Sequence, residues 1–438
     1  MNTQTKSESE KHLNHVKKYN YSGYNMPSFI RALSMNTFNP IAFRQHFPCF
    51  SSLSTLGIYL DNAATTQLPD VVIDTLLDYA RTGRSNVHRS SHQRANQLTE
   101  QFEQAREEIH QWLNAPSDGQ IIWTSGTTMS LNLLANGLRQ YVQKGQTVLV
   151  SALEHHANLV PWQQLCQQEQ LQLEIIPVTP SGDLDLQLFE KQLQNNVALV
   201  AVAHVSNSLG SENDIHKICQ LARQYNAFSI IDGAQAVAHK KINLTSVNCD
   251  AYVFSGHKMY GPNGIGVLYG SHSFLDVLTP SFYGGEMVDQ VSYQQASFRE
   301  LPFRLEAGTP NIAGALGLAA TTDFLDQWGN GRIQYEQHLL NYTAQSLSQI
   351  EEVHIIANPT LRCAVLPFEV EGIHPFDITT WLNEQQIAIR CGHHCAIPVT
   401  EQFTKYGSIR LSIASYNTQH EIDQFITTLK QAIDINKL

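Results

Sequence analysis

A lysine and an aspartate, each placed where an apolar run ends, are the residues of this chain whose position most demands a chemical explanation. Ala251-Tyr-Val-Phe254 gives way to Ser255-Gly-His-Lys258 and then to the glycine-punctuated Met259–Gly266. That is the pattern of a buried strand closing in a tight turn, with an amine at its mouth. Upstream, Phe228-Ser-Ile-Ile231 ends in Asp232, followed by Gly-Ala-Gln235. Buried Asp and Lys are rare unless paired or functional. An amine at a strand end, opposite a strand-end carboxylate, suits Schiff-base chemistry with pyridoxal phosphate: the amine bonds the aldehyde carbon and the acid keeps the ring nitrogen protonated. The plain alternative is a core salt bridge.

The other chemistry-bearing residues also follow apolar runs. Ser125-Gly-Thr127-Thr128 comes after Ile121-Ile-Trp123 and before a helix with Leu131, Leu134 and Leu138 in register. Hydroxyls and free amides at a helix N-terminus form an anion site suited to the cofactor phosphate, or an N-cap and nothing more. His155, after Val148-Leu-Val150, would stack on the pyridine face, or be an ordinary polar strand-end residue. Asn207, after Val197–Val202, would reach the ring hydroxyl, or belong to a Gly/Asn turn. Gln235 is placed to approach the same hydroxyl, and Ser255 and His257 flank Lys258 within reach of the phosphate.

Arg390-Cys391-Gly-His393-His394-Cys395-Ala396 carries a different chemistry. Adjacent residues cannot all turn toward one tetrahedral ion, so a metal site fails on spacing. A redox pair between Cys391 and Cys395 is open. A nucleophilic thiolate at Cys395 fits better, because Arg390 and the neighbouring imidazoles favour ionisation. An inert buried thiol is the remaining alternative.

These residues need a scaffold. Short apolar runs alternate with amphipathic helices from about Tyr59, the pattern of a mostly parallel sheet in an α/β domain. The expected strands are 121–123, 148–150, 173–176, 197–202, 228–231 and 251–254, with a return strand at 266–269. One helical face carries Leu98, Phe102, Ala105, Ile109 and Trp112. A last helix starts with Thr418 and Glu421 spaced as a capping box and presents Ile422, Phe425, Ile426, Leu429 and Ile433. It would cover a smaller sheet containing Cys363–Phe368 and Ile409–Ile413.

With 438 residues, two unequal domains are expected. Residues 1–34 read as a disordered extension, or as sequence ahead of a true start at Met35. Residues 35–56 would pack with the small domain, 57–300 form the large cofactor-binding domain, and 301–438 form a small α+β domain carrying the cysteine loop. A net charge of −11 without a Lys/Arg stripe argues against a nucleic-acid surface. An odd seven cysteines without framework spacing suggest a reducing compartment, and no run is long enough to span a bilayer, so a cytoplasmic location is expected.

The chain resembles the class-V pyridoxal-phosphate enzymes of fold type I, and within them the group II cysteine desulfurases. Tyr59-Leu-Asp-Asn-Ala-Ala-Thr65, Asn86-Val-His-Arg89, Glu154-His-His-Ala-Asn-Leu-Val-Pro-Trp162 and Ile231-Asp-Gly-Ala-Gln235 carry the likeness. So do Phe254–Pro262, Leu305-Glu-Ala-Gly-Thr-Pro-Asn311, Arg390–Ala396 and Ala414-Ser-Tyr-Asn-Thr418. The likeness is greatest to the cysteine sulfinate desulfinase branch. It implies that Lys258 binds the cofactor aldehyde, His155 stacks on its ring and Asp232 pairs with its nitrogen. Asn207 and Gln235 would sit at the ring hydroxyl, and Thr127, Thr128, Ser255 and His257 at the phosphate. Thr309 would reach the site of a neighbouring subunit in a homodimer. Arg410, with Arg390, would clamp the substrate carboxylate; His88 and Arg89 would border the pocket. The implied reaction converts L-cysteine to L-alanine with sulfur passing to Cys395 and on to a small acceptor protein. Selenocysteine and cysteine sulfinate are further substrates implied. Competing readings are an aminotransferase or kynureninase-like hydrolase without a thiol step, and a silent scaffold. Cys391 stands where relatives commonly have a smaller or hydroxyl residue, and is read as a volume substitute.

Overall fold

The structure is a computed structural model and describes residues 38–51, 56–89 and 91–436. The reading of residues 1–34 and of Met35 as a start lies outside the described residues. Phe38–Leu438 form one compact unit.

Its centre is a seven-stranded sheet. The strands are β2 (Gln120–Thr124), β3 (Thr147–Ser151), β4 (Gln172–Ile176), β5 (Val197–Ala203), β6 (Phe228–Asp232), β7 (Ala251–Ser255) and β8 (Gly266–Gly270), preceded in the chain by a short β1 (Ile58–Tyr59). Their order is β2-β8-β7-β6-β5-β3-β4. Only β8 runs antiparallel to its neighbours, as a return strand must. All seven residues of β5 are buried, so Val197-Ala-Leu-Val-Ala-Val-Ala203 faces apolar layers on both sides. This explains why it reads as an unbroken apolar run rather than an alternating one. Each fully buried Leu, Ile or Val contributes about 1.5–3 kcal/mol. Helices cover the sheet. On Gln93–Trp112, Leu98, Phe102, Ala105 and Ile109 are buried as their spacing predicts, while Trp112 is half-buried.

A hairpin follows, β9 (Val288–Val291) with β10 (Ala296–Phe298). Then comes the four-stranded antiparallel sheet β11-β12-β15-β14, from β11 (Val353–Ile355), β12 (Val365–Val370), β14 (Arg390–Gly392) and β15 (Ser408–Ser412). The short β13 (Ile387–Ala388) pairs with β1. The strand expected at Cys363–Phe368 begins two residues later, because Ala364 sits at φ +53° and cannot extend it. The final helix, Gln419–Asn436, buries Ile422, Phe425, Leu429 and Ile433 against this sheet, with Ile426 half-buried. Its capping box forms reciprocally: Thr418 N donates to Glu421 Oε2 at 2.9 Å and Glu421 N to Thr418 Oγ1 at 3.2 Å. Near the start of the described chain, Phe43 and Phe47 pack against Tyr260, Phe324 and Tyr416, and Arg44 pairs with Glu421 at 2.9 Å. Among the described residues no helix is long and apolar enough to cross a membrane.

Candidate active site

The carboxyl ends of β3, β5, β6 and β7 open into a cavity of about 250 Å³, closed from the other side by β14, β15 and the turn at Cys395. Ligands gather at this edge of a parallel sheet because the strand-end loops diverge there.

Lys258 ends the single helical turn Gly256–Lys258 that follows β7. Burial holds its amine below the ordinary value of 10.5; Asp232 pulls it upward and Arg410 pushes it down. Asp232, the last residue of β6, is buried, and burial raises its carboxyl against the opposing hydrogen bond from Ala234 N at 2.9 Å and the charge of Lys258. His155 accepts from Ala157 N at 3.0 Å through Nδ1. Burial first, then Lys258, lowers its imidazole to about 4, so the ring is neutral at pH 7. Its turn is fixed by Glu154, whose carboxyl receives Asn158 Nδ2 at 2.6 Å, Ala203 N at 2.7 Å and the Ser151 hydroxyl. Burial raises that carboxyl to about 8.

Asn207 donates its Nδ2 to the His394 carbonyl at 2.7 Å, while its buried Oδ1 has no partner. Gln235 donates to Ala63 O at 2.7 Å. At the far end, the helix Thr127–Gly137 starts from Gly126 with no side-chain cap. Thr127 N and Oγ1 both meet Ser255 Oγ at 2.8 Å. Gly126 stands at φ +151°, ψ 175°, a conformation open only to glycine. Gly266 lies so close that a Cβ there would sit 2.4 Å from Gly126 Cα. His257 borders this end, Nδ1 lying 3.3 Å from Thr65 Oγ1, its imidazole lowered by burial and by Lys258.

Arg410, on β15, is fully buried and points Nη2 at Asp61 Oδ1, 2.8 Å away, and Nη1 at Asn207 O, 3.0 Å away; its Nε has no partner. Arg390 stands directly across the strand pair from Arg410, half-exposed, with Nε 3.9 Å from Asp61 Oδ2. Asp61 therefore holds two guanidinium groups at the cavity wall. Asp61 and Glu154 lie inside sequence motifs, yet nothing local to either residue marks these roles.

Cys395 is exposed at the cavity mouth. It follows His394 in a turn where both have positive φ, +56° and +53°. The turn is anchored: the Cys395 carbonyl accepts His156 N at 2.7 Å, and His394 Nε2 meets Ser408 Oγ at 2.8 Å. Cys391 faces elsewhere. Its sulfur accepts from Thr379 Oγ1 at 3.1 Å and it packs with the small sheet's apolar cluster; all seven cysteines are free thiols.

The cavity thus gathers Lys258, Asp232, His155, Asn207, Gln235, Ser255, His257, Thr127, Thr128, Arg390, Arg410 and Cys395. Three candidates lie outside its lining. His88 pairs with Glu103 at 2.8 Å and Arg89 with Glu286 at 3.3 Å, whereas Thr309 lines separate cavities beside Asn311. Pyridoxal phosphate fits the residues present. The uncapped helix N-terminus with Thr127 and Ser255 suits its phosphate, the unpaired Asn207 Oδ1 needs a donor such as the ring hydroxyl, and Asp232 and Lys258 provide the acid and amine.

Residues 58–425 match the family model described as aminotransferase class-V. A probable cysteine desulfurase of Vibrio cholerae is 40% identical over 398 residues, covering 90% of this chain and 98% of that protein. The apo cysteine desulfurase of Thermococcus onnurineus superposes with a TM-score of 0.86 at 35% identity, over 92% of this chain and 99% of that one. The Escherichia coli cysteine desulfurase CsdA, in its S-sulfonic acid form, gives 0.85 at 35% identity, over 91% and 100%. By sequence along most of its length and by fold, the chain belongs to the class-V aminotransferase family of pyridoxal-phosphate enzymes and, within it, to the cysteine desulfurases.

Proposed function

We propose that this protein removes the sulfur of L-cysteine, releases L-alanine and carries the sulfur on Cys395 as a persulfide. The observation that carries this reading is one cavity lined by Lys258, Asp232, Arg410 and an exposed cysteine thiol. When bound, pyridoxal phosphate supplies an electrophilic carbon for the substrate amine and a sink for electrons released at Cα. Asp232 would hold the cofactor's ring nitrogen in its protonated form, and His155, neutral at working pH, would supply a flat apolar face for the ring. Arg410, fixed by Asp61 and the Asn207 carbonyl, takes the substrate carboxylate, with Arg390 adding positive charge beside it. The Lys258 amine, held below its usual basicity, removes the Cα proton onto Nζ.

Cys395 Sγ, as thiolate, then attacks the substrate sulfur. An S–S bond forms as the substrate C–S bond breaks, and the released electron pair stays with the carbon that becomes the methyl group of alanine after protonation. Selenocysteine would follow the same course, and cysteine sulfinate would lose its sulfur group without the thiol. Exposure of Cys395 supports onward transfer to a small acceptor protein. Placement of Thr309 outside its own chain's cavity supports a homodimer in which it serves the neighbouring site. The separate four-stranded sheet, all of whose strands lie beyond residue 350, supports a cysteine-loop domain distinct from the cofactor domain. A cytoplasmic location completes the reading, and seven free thiols support it. Thiol-free aminotransferase or hydrolase chemistry is disfavoured, since it would leave Cys395 without work. Replacing Cys395 with Ala is expected to abolish sulfide release from L-cysteine in a reductant-coupled assay while the visible cofactor band persists; surviving sulfide release would refute the persulfide route.

A further inference from the structure

Away from the cavity, the helix Gly331–Leu347 buries a carboxylate that the mechanism does not use. Glu336 is 4% exposed and bonds to three separate segments. Its Oε2 meets His239 Nδ1 at 2.8 Å. Its Oε1 accepts Tyr260 OH at 3.2 Å and the Ser415 hydroxyl. The Tyr260 oxygen in turn accepts Ser415 N at 3.1 Å. Arg332, also buried, donates to Ala238 O and lies near enough to Glu336 to help keep its carboxyl ionised despite burial.

Each of these segments also carries site residues. His239 lies four residues beyond Gln235, in the turn that follows Asp232 at the end of β6. Tyr260 lies two beyond Lys258, and its N donates to Thr66 Oγ1 at 2.6 Å. Ser415 lies five beyond Arg410, just past the end of β15. A buried carboxylate with His and Arg beside it is a poor way to add stability, since apolar residues of the same volume serve as well or better. Its better-attested use is to fix one arrangement of parts.

We propose that Glu336 is a positioning residue that sets the placement of Arg410 relative to Lys258 and Asp232, and so governs recognition of the substrate carboxylate. The proposal rests on the desulfurase reading for the identity of the substrate. Removing these Glu336 hydrogen bonds widens the spread of distances between amine site and guanidinium, which penalises a ligand held at both ends. A ligand held at the amine alone is indifferent to it.

Absorbance titration of the holoenzyme with L-alanine, the carbon product, and with ethylamine, which has the amine but no carboxylate, separates these cases. In Glu336→Ala the affinity for L-alanine is expected to fall roughly tenfold while that for ethylamine stays within about twofold. Glu336→Gln, which keeps the shape and can still accept from Tyr260 and Ser415, is expected to restore most of the loss. Equal weakening of both ligands, or of neither, overturns the proposal and leaves Glu336 a role in stability alone. Should Glu336→Ala not fold, Ser415→Ala leaves the carboxylate paired with His239 and Tyr260; it is expected to shift the ratio by about two- to threefold, and an unchanged ratio overturns the proposal equally. The parent reading fails separately, if the unmodified holoenzyme releases no sulfide from L-cysteine; the L-alanine to ethylamine ratio still decides the role of Glu336.

Discussion

Asp61 illustrates both what single residues do here and what a sequence hides. Lys258, Asp232 and Cys395 were legible because each stands out locally: a charge ending an apolar strand, or a thiol in a basic loop. Asp61 has no such contrast. Its meaning depends on β14 and β15 placing Arg390 and Arg410 side by side, and on a bridge from Asp61 to Ser412, 351 residues along the chain. No local period encodes that. Asp61→Ala should free Arg410 from its orienting partner and raise KM for L-cysteine roughly tenfold with the cofactor retained. A lower KM would instead mean that Asp61 merely competes with the substrate carboxylate. His88 and Arg89 show the converse: polar residues in a quoted motif whose partners, Glu103 and Glu286, hold them outside the cavity lining.

At the scale of elements, strands buried on both faces, such as β3, β5 and β7, are readable because they are nearly unbroken apolar runs. The other four strands of the main sheet also fall where short apolar runs are expected, although the edge strand β4 is mostly not buried. The hairpin β9–β10 is not readable in this way. Its residues are almost all exposed, so no apolar alternation marks it. The strand expected at Cys363 slipped because one residue, Ala364, turns left-handed, which alanine does not advertise. The turn joining β2 to the helix Thr127–Gly137 depends on close approach between Gly126 and Gly266. Gly266→Ala places a methyl group 2.4 Å from the Gly126 backbone, so β8 or the turn must move. The expected result is weaker retention of pyridoxal phosphate, read by dialysis and absorbance, with the fold preserved by circular dichroism.

Across the whole molecule, several buried imidazoles stay neutral in the folded state. Burial lowers His155 to about 4, His204 to about 3 and His394 to about 2, all from an ordinary 6.5. Each contributes stability that is full above pH 6.5 and is lost as pH falls toward the folded value, because the unfolded chain then binds more protons. Glu154 and Asp232, raised by burial, act in the opposite sense and blunt the effect. Urea unfolding should give a midpoint that falls from pH 6.5 toward pH 4.5, and His204→Asn should flatten that slope; an unchanged slope would mean that this imidazole is charged when folded. Finally, the chain carries a net −11, yet its reaction chamber has Arg390 at its exposed rim, with the buried Arg410 behind it. On the proposed function, added salt should raise KM for L-cysteine more than it changes kcat, and a KM indifferent to ionic strength would show that Arg390 lends the approaching carboxylate no attraction.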